Sequence, residues 1–318
     1  MDINNFVSYR QRITEACSKA IVGKQDEITL AAVCYLCGGH LLLEDVPGTG
    51  KTMLFRAFSK ATGGSFSRIQ FTPDVMPSDI TGINFYNMKT GDFELRRGPV
   101  FANMVLADEI NRATPRTQSS LLEAMAEAQV SIDGLTEKLP EPFMVAATQN
   151  PIESYGTFPL PEAQMDRFMM RLKLGYMNRN EELSVAMRRD TADIIESIEC
   201  VVSQSETLDL RSKISGIEMS EPVAGYLMDI IERTRNDSRL SIGASPRGTI
   251  AMVKAAKVFA AFNGRDYVIP EDIKLLAPYV LVHRLHFKNS VTTEEAYALF
   301  AEMLGEISVP KEVLGGRA

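Results

Sequence analysis

The sequence predicts an α/β protein: a phosphate-binding core on a parallel five-stranded sheet between helices, then a smaller all-helical lid. Three observations carry that prediction. Short apolar, strand-like runs alternate with helical stretches as far as residue 174, the pattern of parallel strands covered on both faces. A glycine-containing segment, Glu44-Asp45-Val46-Pro47-Gly48-Thr49-Gly50-Lys51-Thr52, joins one such run to a helix. Beyond Tyr176 the strand-like runs thin out and amphipathic helices dominate.

Residues 3–37 read as two helices broken at Ile21-Val22-Gly23-Lys24. The apolar runs that follow, 41–43, 66–70, 105–108, 143–148 and 168–174, are the five expected strands. Between them, 53–61 and 117–128 have helical character, the second preceded by Pro115 at a position suited to a helix start. Expected helices of the second part are 181–189, 221–235, 247–261, 271–285 and 293–304, with starts marked by Pro246 and Pro270. The expected domains are therefore 1–174, a nucleotide-binding and hydrolysis core, and 175–318, a helical lid.

Composition narrows the function. The 318 residues are 45% hydrophobic and 24% charged, ordinary values for a globular protein long enough for two domains. A net charge of −7 and a pI near 5.2 argue against a surface built for nucleic acid, so no nucleic-acid partner is expected. The longest apolar stretch, 28–43, is interrupted by Gly38-Gly39-His40 and too short to span a bilayer, so no transmembrane segment is expected. The N-terminus lacks a basic region followed by an apolar one, which makes the cytoplasm the expected location. Cys34 and Cys37 form a C-x-x-C without a second pair at zinc spacing and read as helical core residues. His40, His283 and His286 are scattered and suggest no metal site.

The segment Glu44–Thr52 has the layout strand, loop, Gly-Lys-Thr, helix. Loop amides and the positive end of the following helix suit a phosphate, so Asp45, Val46, Pro47, Gly48, Thr49, Gly50, Lys51, Thr52 and Met53 are candidate nucleotide-binding residues. Lys51 would reach the β- and γ-phosphates and the Thr52 hydroxyl a Mg²⁺ ion. Asp45 stands where the usual pattern has its first glycine. Hydrolysis also needs a metal ligand and a group that activates water. The strand-like 105–108 ends in Asp108-Glu109: Asp108 is the candidate metal ligand with Thr52, and Glu109 the candidate base. Asn150, after the next strand, is a candidate contact to the γ-phosphate and the attacking water. Arg167 and Arg247 are the best-placed cations for the transferring phosphoryl group.

Taken in order, Glu44–Thr52, Ala107-Asp108-Glu109-Ile110-Asn111-Arg112, Ala147-Thr148-Gln149-Asn150-Pro151, Met165-Asp166-Arg167-Phe168 and Ser245-Pro246-Arg247 resemble the MoxR family of AAA+ ATPases over nearly the whole chain. The resemblance accommodates Asp45, since the family often carries Glu-Asp-Val-Pro-Gly before Gly-Lys-Thr. It implies sensor 1 at Asn150, an arginine finger acting on a neighbouring subunit's nucleotide at Arg167, and sensor 2 at Arg247. It places Val22 and Gly23 at the adenine pocket and hairpin insertions near 82–99 and 130–142. It further implies ATP and Mg²⁺ as ligands, a homo-oligomer in the form of a hexameric ring, chaperone-like work on other proteins, and a von Willebrand factor A domain protein as partner.

Two other functions share these motifs. A nucleic-acid translocase would want basic hairpins, yet 130–142 offers only Lys138 against Asp133, Glu137 and Glu141; Lys89, Arg96 and Arg97 are the residues in its favour. A metal-chelatase motor subunit would differ chiefly in its partner. A GTPase is disfavoured, because no Asn-Lys-x-Asp guanine-reading motif occurs.

Overall fold

Five apolar runs lie side by side in one parallel sheet. The structure is a computed structural model that describes residues 2–45, 48–149, 156–188 and 191–310, with backbone alone for 191–193. Helices α1 (Asn4–Ser18) and α2 (Gln25–Leu36) come first, interrupted where Gly23 takes a left-handed conformation. Then follow β1 (Leu41–Glu44), α3 (Lys51–Ala61), β2 (Phe66–Gln70), α4 (Pro77–Thr81), β3 (Gly82–Asn87), β4 (Asp92–Arg97), β5 (Met104–Asp108), α5 (Pro115–Glu127), β6 (Gln129–Ile132), β7 (Leu135–Lys138), β8 (Met144–Gln149), α6 (Glu162–Met165) and β9 (Met170–Leu172). The sheet order is β2-β5-β8-β1-β9, every neighbour parallel.

The inner strands β1, β5 and β8 are buried because they carry apolar side chains on both faces, whereas on the edge strand β2 only Ile69 is buried. Leu42, Val105, Ala107, Val145 and Ala147 pack with Leu121, Leu122 and Met125 of α5 and with Phe71 and Ile80. Each large side chain so buried stabilises the fold by about 1.5–3 kcal/mol. The orientation of α5 is set at its start, where the Thr114 hydroxyl accepts from the Thr117 amide and Pro115 fills the first turn. His40, buried just ahead of β1, joins two elements: its Nδ1 accepts from the Val145 amide at 3.0 Å and its Nε2–H donates to the Met125 carbonyl at 2.9 Å. That arrangement needs the neutral ring, and burial pushes the imidazole pKa down to about 4.

Two antiparallel hairpins leave this frame. Strands β3 and β4 pair with Tyr86 opposite Phe93, and β6 and β7 pair with Ile132 opposite Leu135. The second turn, Asp133-Gly134, uses two left-handed residues, the backbone that a two-residue hairpin demands. Arg97 donates to the Glu137 carboxylate at 3.0 Å, tying one hairpin to the other.

The chain divides into two compact units, Ser8–Ser212 and Met1–Val7 with Lys213–Ala318. The sheet-bearing unit thus extends beyond residue 174 to take in α7 (Arg179–Ala186), α8 (Thr191–Glu196) and most of α9 (Gln204–Lys213). Specific bonds hold this extension: the amides of Val201 and Val202 donate to Ala61 O, Gln204 donates to Gly63 O, and Arg211 donates to the carbonyls of Tyr35 and Leu36.

The second unit contains α10 (Glu221–Asn236), β10 (Leu240–Ile242), α11 (Pro246–Phe262), α12 (Pro270–Leu281), β11 (His286–Phe287) and α13 (Thr293–Gly305). It is not wholly helical, because β10 and β11 form a short antiparallel ribbon with Leu240 opposite Phe287. Two- and three-residue strands are too short for alternation to mark them in the sequence. Buried Asp237 anchors this corner by accepting from Arg233 and Arg239, which hold its carboxyl well below the usual carboxylate range. Among the described residues no helix is long and apolar enough to cross a membrane.

Candidate active site

The loop after β1 turns on two glycines. Gly48 (φ +84°) and Gly50 (φ +88°) are left-handed, a backbone that side-chain-bearing residues rarely adopt. A Cβ on Gly48 would meet nothing within 4 Å, and one on Gly50 only Ile21 Cδ1 at 3.9 Å, so the space over the loop is open to a ligand. Gly50 caps α3, whose first-turn amides and positive dipole end face that space. Lys51 Nζ donates to Asp45 O at 3.0 Å. Asp45, 2% exposed, is not among the left-handed non-glycine residues of the described chain, which are Glu109, Ala128 and Asp133. The position therefore has no need of glycine, and its carboxylate accepts from the Gly175 amide at 2.8 Å.

The carboxyl ends of β1, β2, β5 and β8 reach the same level of the sheet: Gln70 pairs with Asp108, and Glu44 with Gln149. Crevices outside such strand ends are where open α/β sheets bind ligands. A cavity of about 360 Å³ lies there, lined by Asp45, Gly48, Gly50, Lys51, Thr52 and Met53 on the loop side and by Arg68, Gln70, Asp108, Glu109 and Thr148 on the strand side. Thr148 fixes both acidic residues, donating its hydroxyl to Asp108 Oδ1 at 2.6 Å and accepting from the Glu109 amide at 2.8 Å. Glu109 itself is left-handed (φ 58°, ψ 49°), a conformation that costs a non-glycine residue about 1–2 kcal/mol. The Thr148 bond helps to offset that cost. Asp108 Oδ2 accepts from Arg68 Nη2 at 2.6 Å and Nε at 3.2 Å. Glu109 Oε2 accepts from Gln70 Nε2 at 2.9 Å and Arg112 Nη1 at 3.2 Å.

This donor set suits a nucleoside phosphate with a hard divalent cation. The loop offers amides and one ammonium to anionic oxygens, while Thr52 and Asp108 offer only oxygen to a metal, as Mg²⁺ prefers.

Comparison with known proteins agrees with that chemistry. Residues 40–170 match the ATPase family associated with various cellular activities (AAA), and residues 232–302 the AAA lid domain. The chain is 46% identical over 301 residues to the protein YeaC of Bacillus subtilis, covering 94% of each. It is 41% identical over 286 residues to the chaperone MoxR1 of Mycobacterium tuberculosis, covering 87% of this chain and 75% of that one. The chain belongs to the MoxR family of AAA+ ATPases. The crystal structure of a candidate ATPase from Cytophaga hutchinsonii superposes with a TM-score of 0.88 at 38% identity, covering 97% of this chain and 98% of the other. The magnesium-chelatase subunit ChlI of Mesostigma viride, at 26% identity, is a more distant relative.

Within this MoxR-family chain the remaining candidates are placed as follows. Thr49 lies between two lining glycines. The segment of Val22 and Gly23 adjoins the loop through Ile21, and a Cβ on Gly23 would strike the Glu181 carboxylate. Arg167 is not among the residues that line the cavity; it donates to the Leu122 carbonyl of α5 at 2.6 Å. Arg247 is in the first turn of α11 in the second unit. Val46, Pro47 and Asn150 lie outside the described residues. Sequence reasoning missed Arg68 and Gln70 and passed over Thr148. Polar residues two apart in a strand share one face, but on an exposed edge strand that pattern alone does not mark a site.

Proposed function

We propose that this chain is a Mg²⁺-dependent ATPase that works as a ring, hydrolysing ATP to ADP and phosphate in order to remodel or assemble partner proteins. The observation that carries the proposal is the convergence of Lys51 and Thr52, at the positive end of α3, with Asp108 and Glu109, at the end of β5, around one cavity.

In this reading the loop amides and Lys51 bind and orient the β- and γ-phosphates. Thr52 and Asp108 hold the divalent cation, which supplies neutralisation of phosphate charge. Glu109 orients the attacking water and takes its proton, held in place through Thr148. Val22 and Gly23 line the adenine pocket, and Asn150 senses the γ-phosphate. Arg167 acts on a neighbouring subunit's nucleotide and Arg247 acts from the lid. The trans role of Arg167 is the reason to expect an oligomer, and a hexameric ring is the form family membership favours. Similarity to the chaperone MoxR1 supports protein clients, with a von Willebrand factor A domain protein as partner. A chelatase motor is the weaker alternative, since that relative is distant. The acidic β6–β7 hairpin region speaks against a nucleic-acid translocase.

The test uses two variants. Glu109→Gln is expected to bind ATP with unchanged affinity by calorimetry while steady-state hydrolysis falls at least about 100-fold. Lys51→Ala is expected to lose most nucleotide binding. Normal turnover by the first, or unchanged affinity in the second, would remove these residues from their roles.

A further inference from the structure

Both carboxylate oxygens of Asp108 accept hydrogen bonds from the protein. Its Oδ1 accepts from the Thr148 hydroxyl at 2.6 Å, and its Oδ2 accepts twice from the Arg68 guanidinium, at 2.6 and 3.2 Å. Arg68 reaches it because β2 and β5 are parallel and in register: residues 68 and 70 project from the same face as Leu106 and Asp108. The two partners differ in exposure. Thr148, next to last in a central strand, is 1% exposed, whereas the Arg68 side chain is 47% exposed, on the edge strand of the sheet. A guanidinium and a divalent cation, held directly or through its coordinated waters, compete for Asp108, since their charges repel there. The side chain that can yield is Arg68. Having yielded, it remains in the same cavity as the loop glycines and Lys51, where a planar guanidinium suits phosphate oxygens in bidentate fashion.

Resting on the assignment of Asp108 as metal ligand, we propose that Arg68 is a displaceable counter-ion: it neutralises Asp108 until a divalent cation takes its place, and the nucleotide's phosphates draw it away. Metal and nucleotide then bind with positive coupling, and linkage makes that coupling equal in both directions. Arg68 is thus a positioning residue, acting on the metal through Asp108. The same guanidinium donates to Gln70 Oε1 at 2.8 Å, so its departure also disturbs the residue that holds Glu109.

The experiment measures Mn²⁺ binding by electron paramagnetic resonance, with and without the non-hydrolysable analogue AMPPNP, on the full chain. Removing a charge-assisted pair from a partly exposed carboxylate is expected to raise nucleotide-free Mn²⁺ affinity of Arg68→Ala by about 5- to 10-fold. The further gain on adding AMPPNP should shrink by a similar factor. Arg68→Lys, which keeps a cation within reach of Asp108, should stay within about 3-fold of the unaltered chain. Arg96→Ala controls for net charge and should leave both affinities unchanged. Unchanged nucleotide-free affinity in Arg68→Ala, undetectable binding by it, or an equal gain in Arg96→Ala overturns the inference. If Asp108→Ala binds Mn²⁺ with AMPPNP as well as the unaltered chain does, the assignment of Asp108 falls as well; if Asp108→Ala loses binding while Arg68→Ala binds nucleotide-free Mn²⁺ no more tightly than the unaltered chain, the Arg68 inference alone is refuted.

Discussion

Gln70 donates its side-chain amide to Glu109 Oε2 at 2.9 Å, across the pair of strands that ends at the candidate active site. The oxygen proposed to accept a proton from water thus already accepts a hydrogen bond, and the amide competes with that water for it. Replacing Gln70 by alanine is expected to raise the basal kcat by about 5-fold, the equivalent of one hydrogen bond of roughly 1 kcal/mol, with ATP affinity unchanged. Steady-state kinetics check this. A fall in kcat would instead make the amide an aligning contact.

Thr148→Val keeps the shape of a fully buried strand residue and removes the hydroxyl that serves both Asp108 and Glu109. It leaves the left-handed Glu109 amide without that partner, so a loss of about 1–3 kcal/mol of stability is expected. A fall in kcat of at least about 10-fold should accompany it. Urea unfolding and turnover measured on the same preparation would show both effects; full activity would deny Thr148 its organising role.

Much of this was legible in the sequence. The five strands followed from apolar runs, the loop from Gly48 to Thr52 from its residue pattern, and Asp108-Glu109 from its place at a strand end. What was not legible depends on distant neighbours. Arg68 and Gln70 acquire meaning only from the β2–β5 register, which is fixed in space and not by adjacent residues. The attachment of 201–211 to the sheet-bearing unit rests on carbonyls at Ala61, Gly63, Tyr35 and Leu36, more than a hundred positions away. Asp45 shows the opposite case: it departs from the glycine pattern, yet its backbone is not left-handed and makes no conformational demand for glycine.

If Arg167 serves a neighbour's nucleotide, inactive subunits should complement each other. Mixing Arg167→Ala with Lys51→Ala in equal amounts should restore activity at about a quarter of the interfaces of randomly assembled rings. Absence of rescue, in assemblies shown by mass spectrometry to contain both variants, would confine Arg167 to its bond with the Leu122 carbonyl.

His40 makes stability depend on pH. Its pKa falls from 6.5 unfolded to about 4 folded, so between those values the unfolded chain binds the extra proton. The contribution is complete above about pH 6.5 and is lost as pH falls toward 4, by about 2 kcal/mol between pH 7 and pH 5. Urea unfolding at those two pH values should show this loss, and His40→Gln should lack that part of the pH dependence. An identical dependence in the variant would exclude the imidazole as its source.

The alignment of four strand ends carries a consequence for how this protein tolerates change. Slipping β2 by a single residue against β5 would turn Arg68 and Gln70 to the opposite face, yet the strand would keep all its residues and most of its ladder. Such a slip would strip the acidic pair of its partners and also turn Arg68 toward the core in which Ile69 packs. Insertions and deletions should therefore be survivable in the β3–β4 hairpin and ruinous inside β2 or β5, even where no residue of the cavity is itself replaced.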